Sequence, residues 1–249
     1  FKNSEIIYCP AGIRRSSPDD IKKRWSFDWE VKYNNFYIRS GDGLVFEGMN
    51  DHGFSASLMY LENSQLPEKE KGLIPIAASL SVNFFIDHFT NIDTALLAIW
   101  DTRIFDDINM GCDWPFRIIL HDSAGGSAYI EHIKGRLRVF TPEAPSVVSA
   151  GSDYTHLLMV QYLDEYKAVN KSEEDYIFFS EHIKTGSKNA VFLIADYYKI
   201  DSNKGEGQLV IMRGHEEAAL IISNEAKEFE VRLNEVNFTP GKETSKSIF

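Results

Sequence analysis

The sequence predicts an α+β fold of two mostly antiparallel sheets packed face to face with helices outside. The first ground is the order of elements: strand-like runs, two helical stretches, strands, two more helical stretches, strands. The second is material, because 249 residues of which 43% are hydrophobic bury about three quarters of the unfolded chain's surface. The third is continuity. No linker composition or internal repeat divides residues 1–249, so one domain is expected.

Glu5 to Cys9 (EIIYC) is a short strand-like run ended by Pro10-Ala11-Gly12, and the charged stretch Arg14 to Arg24 reads as a loop. Phe27 to Arg39 is dense in β-formers and aromatics and is predicted extended. After the turn Ser40 to Gly43 and the segment EGMNDHG, Phe54 to Leu61 alternates small and apolar residues like a buried strand, and Asn63 to Gly72 follows as a loop. Pro75 to Phe89 places Ile76, Ala77, Leu80, Phe84 and His88 on one helical stripe. A second helix begins at Asn91 as N-cap with Thr94 three residues on, carrying Ala95, Leu96, Ile99 and Trp100 on its inner face.

Trp114 to Leu120, Ser127 to Ile133 and Arg136 to Phe140, separated by the turns His121 to Gly126 and Lys134-Gly135, predict a three-strand meander. Ser146 to Ser149 adds a short strand, and residues 153–167 and the stretch from Ser172 return to helical spacing. Strands close the chain at Asn189 to Tyr198, Gln208 to Met212, Ala218 to Ile222 and Phe229 to Leu233.

Composition narrows the function. A formal charge of −11 repels phosphate backbones, and the one dense basic cluster, Lys22-Lys23-Arg24, reads as a solvated helix end or turn. No nucleic-acid or membrane partner is therefore expected. No run reaches the roughly 18 apolar residues of a membrane span. The two cysteines, Cys9 and Cys112, make neither a disulfide framework nor a four-thiolate metal site, and leave the compartment undecided.

The seven histidines are scattered, and His215-Glu216 lacks the second histidine of a zincin helix, so no metal is expected. Nucleophile-elbow, dinucleotide and P-loop signatures are missing, and no cofactor is expected. Asp19-Asp20 and Asp106-Asp107 are paired carboxylates among loop formers and read as solvated turn residues. Asn170 and Asn237 head formal glycosylation tripeptides that decide nothing.

One segment departs from ordinary core. In Glu47 to Gly53, the polar Asn50 stands between Met49 and a glycine-ended turn, directly before an apolar strand. Its carboxamide has two readings: a residue that merely shapes the turn, or an N–H donor aimed at an oxyanion formed during acyl transfer.

EGMNDHGFSASLMYLE, with PEKEKGLIP behind it, resembles the Gly-Met-Asn segment of the choloylglycine hydrolase family, which includes penicillin V acylases and conjugated bile-salt hydrolases. His121 to Phe140 resembles the family's following hairpin, with Asp122, Gly125 or Gly126, Ser127 and Glu131 in the family's order. The resemblance covers Ser4 to about Tyr166.

It implies a four-layer αββα body of the N-terminal nucleophile hydrolase class. In that class a cysteine thiol at the chain start attacks a non-peptide amide, and the acyl-enzyme is then hydrolysed. A small-molecule amide is the implied partner, and self-association into a homo-oligomer is left open. Asn50 matches the oxyanion-stabilising asparagine. The family's second asparagine falls at Val148 to Gly151, which leaves Ser149 as the substrate contact.

Cys9 is not the nucleophile by position, and its apolar strand context favours an inert thiol. Phe1 to Pro10 resembles the strand that follows the nucleophile segment, so the nucleophile and first strand are expected outside these 249 residues. The family's later Arg-Phe pattern is missing between Asp153 and Thr185. The alternative is a non-catalytic relative that binds an acyl-amide or sterol-like ligand.

Overall fold

A computed structural model describes residues 4–16, 27–41, 43–61, 64–67, 72–107, 115–141, 194–202, 205–214, 219–224 and 227–247. The central feature is an eight-stranded antiparallel sheet. Its strands are β1 (Glu5–Cys9), β4 (Asn35–Arg39), β5 (Val45–Asn50), β6 (Ser55–Tyr60), β9 (Phe116–His121), β10 (Ser127–Ile133), β11 (Arg136–Phe140) and β16 (Thr244–Ser247), in the spatial order β11-β10-β9-β6-β5-β4-β1-β16. A second antiparallel sheet joins β12 (Ile194–Ser202), β13 (Gly205–Gly214), β14 (Ala219–Asn224) and β15 (Lys227–Arg232) in sequential order. Val231 at the end of β15, and Leu233 just after it, pack into the same core as the large sheet. The architecture is an α+β sandwich, as the sequence predicts.

Two short helices, α1 (Ser81–His88) and α2 (Ile92–Ile99), form the described helical layer. Asn91 caps α2 as expected, its Oδ1 accepting the Thr94 N–H at 3.0 Å, which satisfies one of the helix's orphan donors. Gly48 lets α1 approach β5. A Cβ there would stand 2.6 Å from Ile86 Cδ1 and 3.2 Å from Tyr37 Cβ, so any side chain would push the layers apart.

The meander is formed by β9, β10 and β11. Its two-residue turn, Lys134-Gly135, has both residues at positive φ, 53° and 73°, matching the right-handed twist of the strands it joins.

Four expectations need correction. Pro75 to Phe89 is not one helix: β7 (Ile74–Ala77) pairs in parallel with β8 (Thr102–Phe105), and α1 starts only at Ser81. Apolar runs of this length fit either period, and a two-stranded ribbon tolerates the missing N–H of Pro75. Trp100 is not on the inner face of α2 but 61% exposed, because the buried stripe is Ile92, Ala95 and Ile99. Asp107 is buried rather than solvated, and accepts the backbone N–H and the hydroxyl of Ser79 just before α1.

The fourth correction concerns the first loop, where β2 (Arg14–Arg15) pairs with β3 (Trp29–Glu30). The strand of Ser146 to Ser149, the helices at 153–167 and from Ser172, and Cys112, Asp19-Asp20, Lys22 to Arg24, Asn170 and His215-Glu216 lie outside the described residues.

Candidate active site

The strand register separates two faces of the large sheet. One carries Ala56, Leu58, Ile118, Leu120, Ala128 and Ile130, all in the main apolar core. The other carries Glu47, Ser55, Ser57, Arg117, His121, Ser127 and Glu131, and every one of these is buried as well. A buried polar face is costly unless its groups find partners, so it marks a place where the fold accommodates polar chemistry. Arg117 Nη1 lies 3.3 Å from Glu131 Oε1, both side chains wholly buried. His121 Nδ1 lies 2.7 Å from Ser127 Oγ across the β9–β10 pair.

Sequence reasoning missed this face. Polar residues at alternate strand positions are the ordinary mark of a solvated face, and only their burial distinguishes these. The available signal was the presence of Arg, His and Glu together in the first two strands of the meander.

Asn50 ends β5 at the rim of the sheet and turns toward the helices. Its Nδ2 donates to the carbonyls of Ile86 (2.9 Å) and Phe89 (2.7 Å), and its Oδ1 accepts the N–H groups of His52 and Phe54, both at 3.1 Å. A carboxamide offers two donors and one acceptor oxygen. Here both donors are committed, so in this arrangement the side chain ties the β5–β6 turn to the end of α1 and has no N–H left for an oxyanion.

Asp122 organises the neighbouring turn. Its Oδ1 accepts the N–H groups of Ala124 (3.1 Å) and Gly126 (2.7 Å), and its Oδ2 accepts the first helical N–H of α2, that of Ile92, at 2.9 Å. A Cβ on Gly126 would meet Asp122 Oδ2 at 2.8 Å, which is why glycine stands there. The Asp-x-x-x-Gly-Ser spacing is thus a device that welds the hairpin to α2.

A second polar cluster lies on the helix side of the sheet. Asp87, wholly buried on α1, accepts Arg15 Nε (2.8 Å), Trp29 Nε1 (2.7 Å) and Asn35 Nδ2 (2.9 Å). Burial pushes the Asp87 carboxyl up, against the pull of Arg15 and the bond from Trp29. Arg15 also reaches Glu243 at 3.2 Å, Tyr37 Oη at 3.4 Å and Cys9 Sγ at 3.3 Å. Burial raises the Cys9 thiol well above its usual range despite the guanidinium beside it. Such a thiol stays protonated and is a poor nucleophile.

Ser149 lies outside the described residues. Among the described residues no three His, Cys, Asp or Glu side chains are grouped so as to hold a metal ion. No helix among them is long and apolar enough to cross a membrane.

Comparison with known proteins places this geometry. The model of the linear amide C–N hydrolases, choloylglycine hydrolase family, matches residues 35–189. A penicillin V acylase from Pectobacterium atrosepticum is 22% identical over 76% of this chain, and the chain spans 57% of the length of that relative. The solved penicillin V acylase of Agrobacterium tumefaciens superposes with a TM-score of 0.72 at 15% identity, over 100% of this chain and 84% of that one. A Cys-to-Ala mutant of the conjugated bile acid hydrolase from Clostridium perfringens gives 0.67 at 14% identity, over 99% of this chain and 89% of that one. The fold is therefore shared with these enzymes. Because the matched span contains both the Gly-Met-Asn turn and the Asp122 hairpin and exceeds half of the chain, the chain belongs to the choloylglycine hydrolase family of linear amide C–N hydrolases.

Proposed function

We propose that the protein hydrolyses linear, non-peptide amide bonds of the penicillin V or glycine-conjugated bile-acid kind, using an N-terminal cysteine that is not among the 249 residues. The observation that carries this reading is the family match over residues 35–189. The reaction is thiol addition to the amide carbonyl, cleavage of the C–N bond with the proton passing to the departing amine, and attack of water on the thioester to release acid and thiol. The state of Cys9 supports a nucleophile from elsewhere, since a buried thiol with a raised pKa is not set up for attack.

In this reading Asn50 is a positioning residue that holds the β5–β6 turn against α1, and Ser149 is the substrate contact. No observation favours a binding-only relative over an enzyme.

The test is an assay of the full-length protein on penicillin V and a glycine-conjugated bile acid, followed by iodoacetamide inactivation and peptide mapping. Hydrolysis that is lost on alkylation of a cysteine outside residues 1–249 is expected. Absence of turnover on both substrates, or inactivation that maps to Cys9, overturns the proposal.

A further inference from the structure

The outward side of α2 departs from the rest of the described surface. Leu97 is 73% exposed and Trp100 61%, and with Ile74 they are the exposed large hydrophobics among the described residues. The three are neighbours. Leu97 and Trp100 stand three apart on one helix face. The Ile74 N–H donates to the carbonyl of Asp101 at 2.9 Å, which sets the start of β7 beside the end of α2. A single exposed apolar side chain is ordinary, but adjoining ones mark a contact surface.

Carboxylates close the patch at both ends. Asp93, Leu97, Trp100 and Asp101 fall at positions i, i+4, i+7 and i+8, which is one stripe of a helix. Asp93 and Asp101 are exposed, and among the described residues neither makes an ion pair. Asp93 lies in the first turn, where the helix dipole favours an acid. Asp101 lies just past the last turn, where the dipole disfavours one. The free protein thus holds, side by side, an indole ring in water and an acid at the unfavourable end of a helix. Both become favourable when a cation on an apolar stem arrives, because a guanidinium can stack on Trp100 while it pairs with Asp101.

We infer that this stripe docks a cationic amphipathic helix of another polypeptide. Its apolar side chains rest on Leu97, Trp100 and Ile74, and an arginine or lysine at each end meets Asp93 and Asp101. The spacing fits, since the two acids are eight residues apart, about 12 Å along the axis, and basic residues seven or eight apart on a partner helix have the same separation. The formal charge of −11 steers such a partner inward. A second copy fits worse, because residues 92–101 contain no Lys, Arg or His, and α2 laid on α2 sets acid against acid. The same acids repel an anionic membrane. Docking here does not depend on the hydrolase reading.

The test is fluorescence anisotropy of the full-length protein with a labelled helical peptide of about 14 leucines, lysines and arginines, the leucines on one face and basic residues flanking them. A scrambled peptide of the same composition controls for bulk charge. The amphipathic peptide is expected to bind at least about tenfold tighter than the scrambled one, and Trp100→Ala to weaken it about tenfold or more. Asp101→Lys is expected to abolish binding while leaving the Tm equal or higher, so the loss is not a loss of fold. Equal affinity for the two peptides overturns the proposal, as does Trp100→Ala with the affinity unchanged.

Sedimentation velocity without peptide and flotation with phosphatidylcholine vesicles judge the other occupants. Trp100→Ala is expected to change neither result. A dimer, or a vesicle-bound fraction, that this substitution abolishes overturns the cationic helix in favour of a second copy or a lipid surface.

Discussion

Asn50 Nδ2 lies 2.7 Å from the carbonyl oxygen of Phe89, one residue beyond the end of α1, and the same amide reaches the Ile86 carbonyl at 2.9 Å. Two backbone groups that the helix leaves unsatisfied are thereby paired by a side chain from the sheet. Asn50→Ala orphans these carbonyls and the N–H groups of His52 and Phe54, and is expected to destabilise by about 3 kcal/mol. Asn50→Asp is expected to be worse, since it sets a carboxylate against two carbonyl oxygens. Urea unfolding midpoints at constant slope check both, and a loss under about 1 kcal/mol for alanine would show that the turn holds without the amide.

Arg117 and Glu131 form a pair with no solvent access to either side chain. Removing one partner leaves a buried charge, so Arg117→Met and Glu131→Leu are each expected to cost about 3–5 kcal/mol, while the double variant recovers most of the loss. The double-mutant cycle reads the coupling directly. Additive losses would mean that each charge is held by other groups.

His132 is buried on β10, and burial lowers its pKa to about 4. The unfolded chain binds a proton near pH 6.5, the folded one only near 4. Between these values the unfolded state carries the extra proton, so stability falls as the pH drops through that window, by up to about 3 kcal/mol. His132→Leu should flatten the stability profile between pH 4 and 6.5, leaving the profile above pH 7 with its original slope. An unchanged acid limb would locate the titration elsewhere.

Cys9 is expected to resist alkylation in the native protein, because its thiol is buried and raised in pKa. Peptide mapping after brief iodoacetamide treatment should find it unmodified until denaturant is added. Rapid native labelling would contradict the packing around Arg15.

Much of this fold could be read from local chemistry. The Asn91 cap, the Lys134-Gly135 hairpin and four of the five strands after residue 193 follow from short-range signals and are present where expected, whereas Thr244–Ser247 carried no such signal. The Gly-Met-Asn and Asp-x-x-Gly-Gly-Ser motifs were visible as motifs, yet their work differs from what a motif alone conveys: Asn50 and Asp122 bind backbone groups at the ends of α1 and α2.

What stayed hidden depends on partners distant in sequence. Arg15 looks like a solvated loop residue until Asp87, 72 positions away, is folded against it. Ser55 stands in a run that reads as a buried strand and His121 in one that reads as a turn, and neither shows its polar neighbours until the sheet pairs Ser55 with His121 and His121 with Ser127. Pro75–Ala77 reads as the start of a helix because so short an apolar run carries no period of its own, and the strand state of Ile74–Ala77 is fixed only by Thr102–Phe105.

The pairing of Glu5–Tyr8 with Thr244–Ser247, reinforced by the Arg15–Glu243 contact, sets a timetable for biosynthesis. At about 5–20 residues per second, β1 emerges from the ribosome roughly ten to fifty seconds before the strand that covers its outer border. Throughout that interval the nascent polypeptide offers an unpaired ladder to any neighbour on the same polysome. Early capture by a holdase chaperone is the natural remedy, and cells depleted of such chaperones should accumulate this protein in inclusion bodies well before its finished form loses stability.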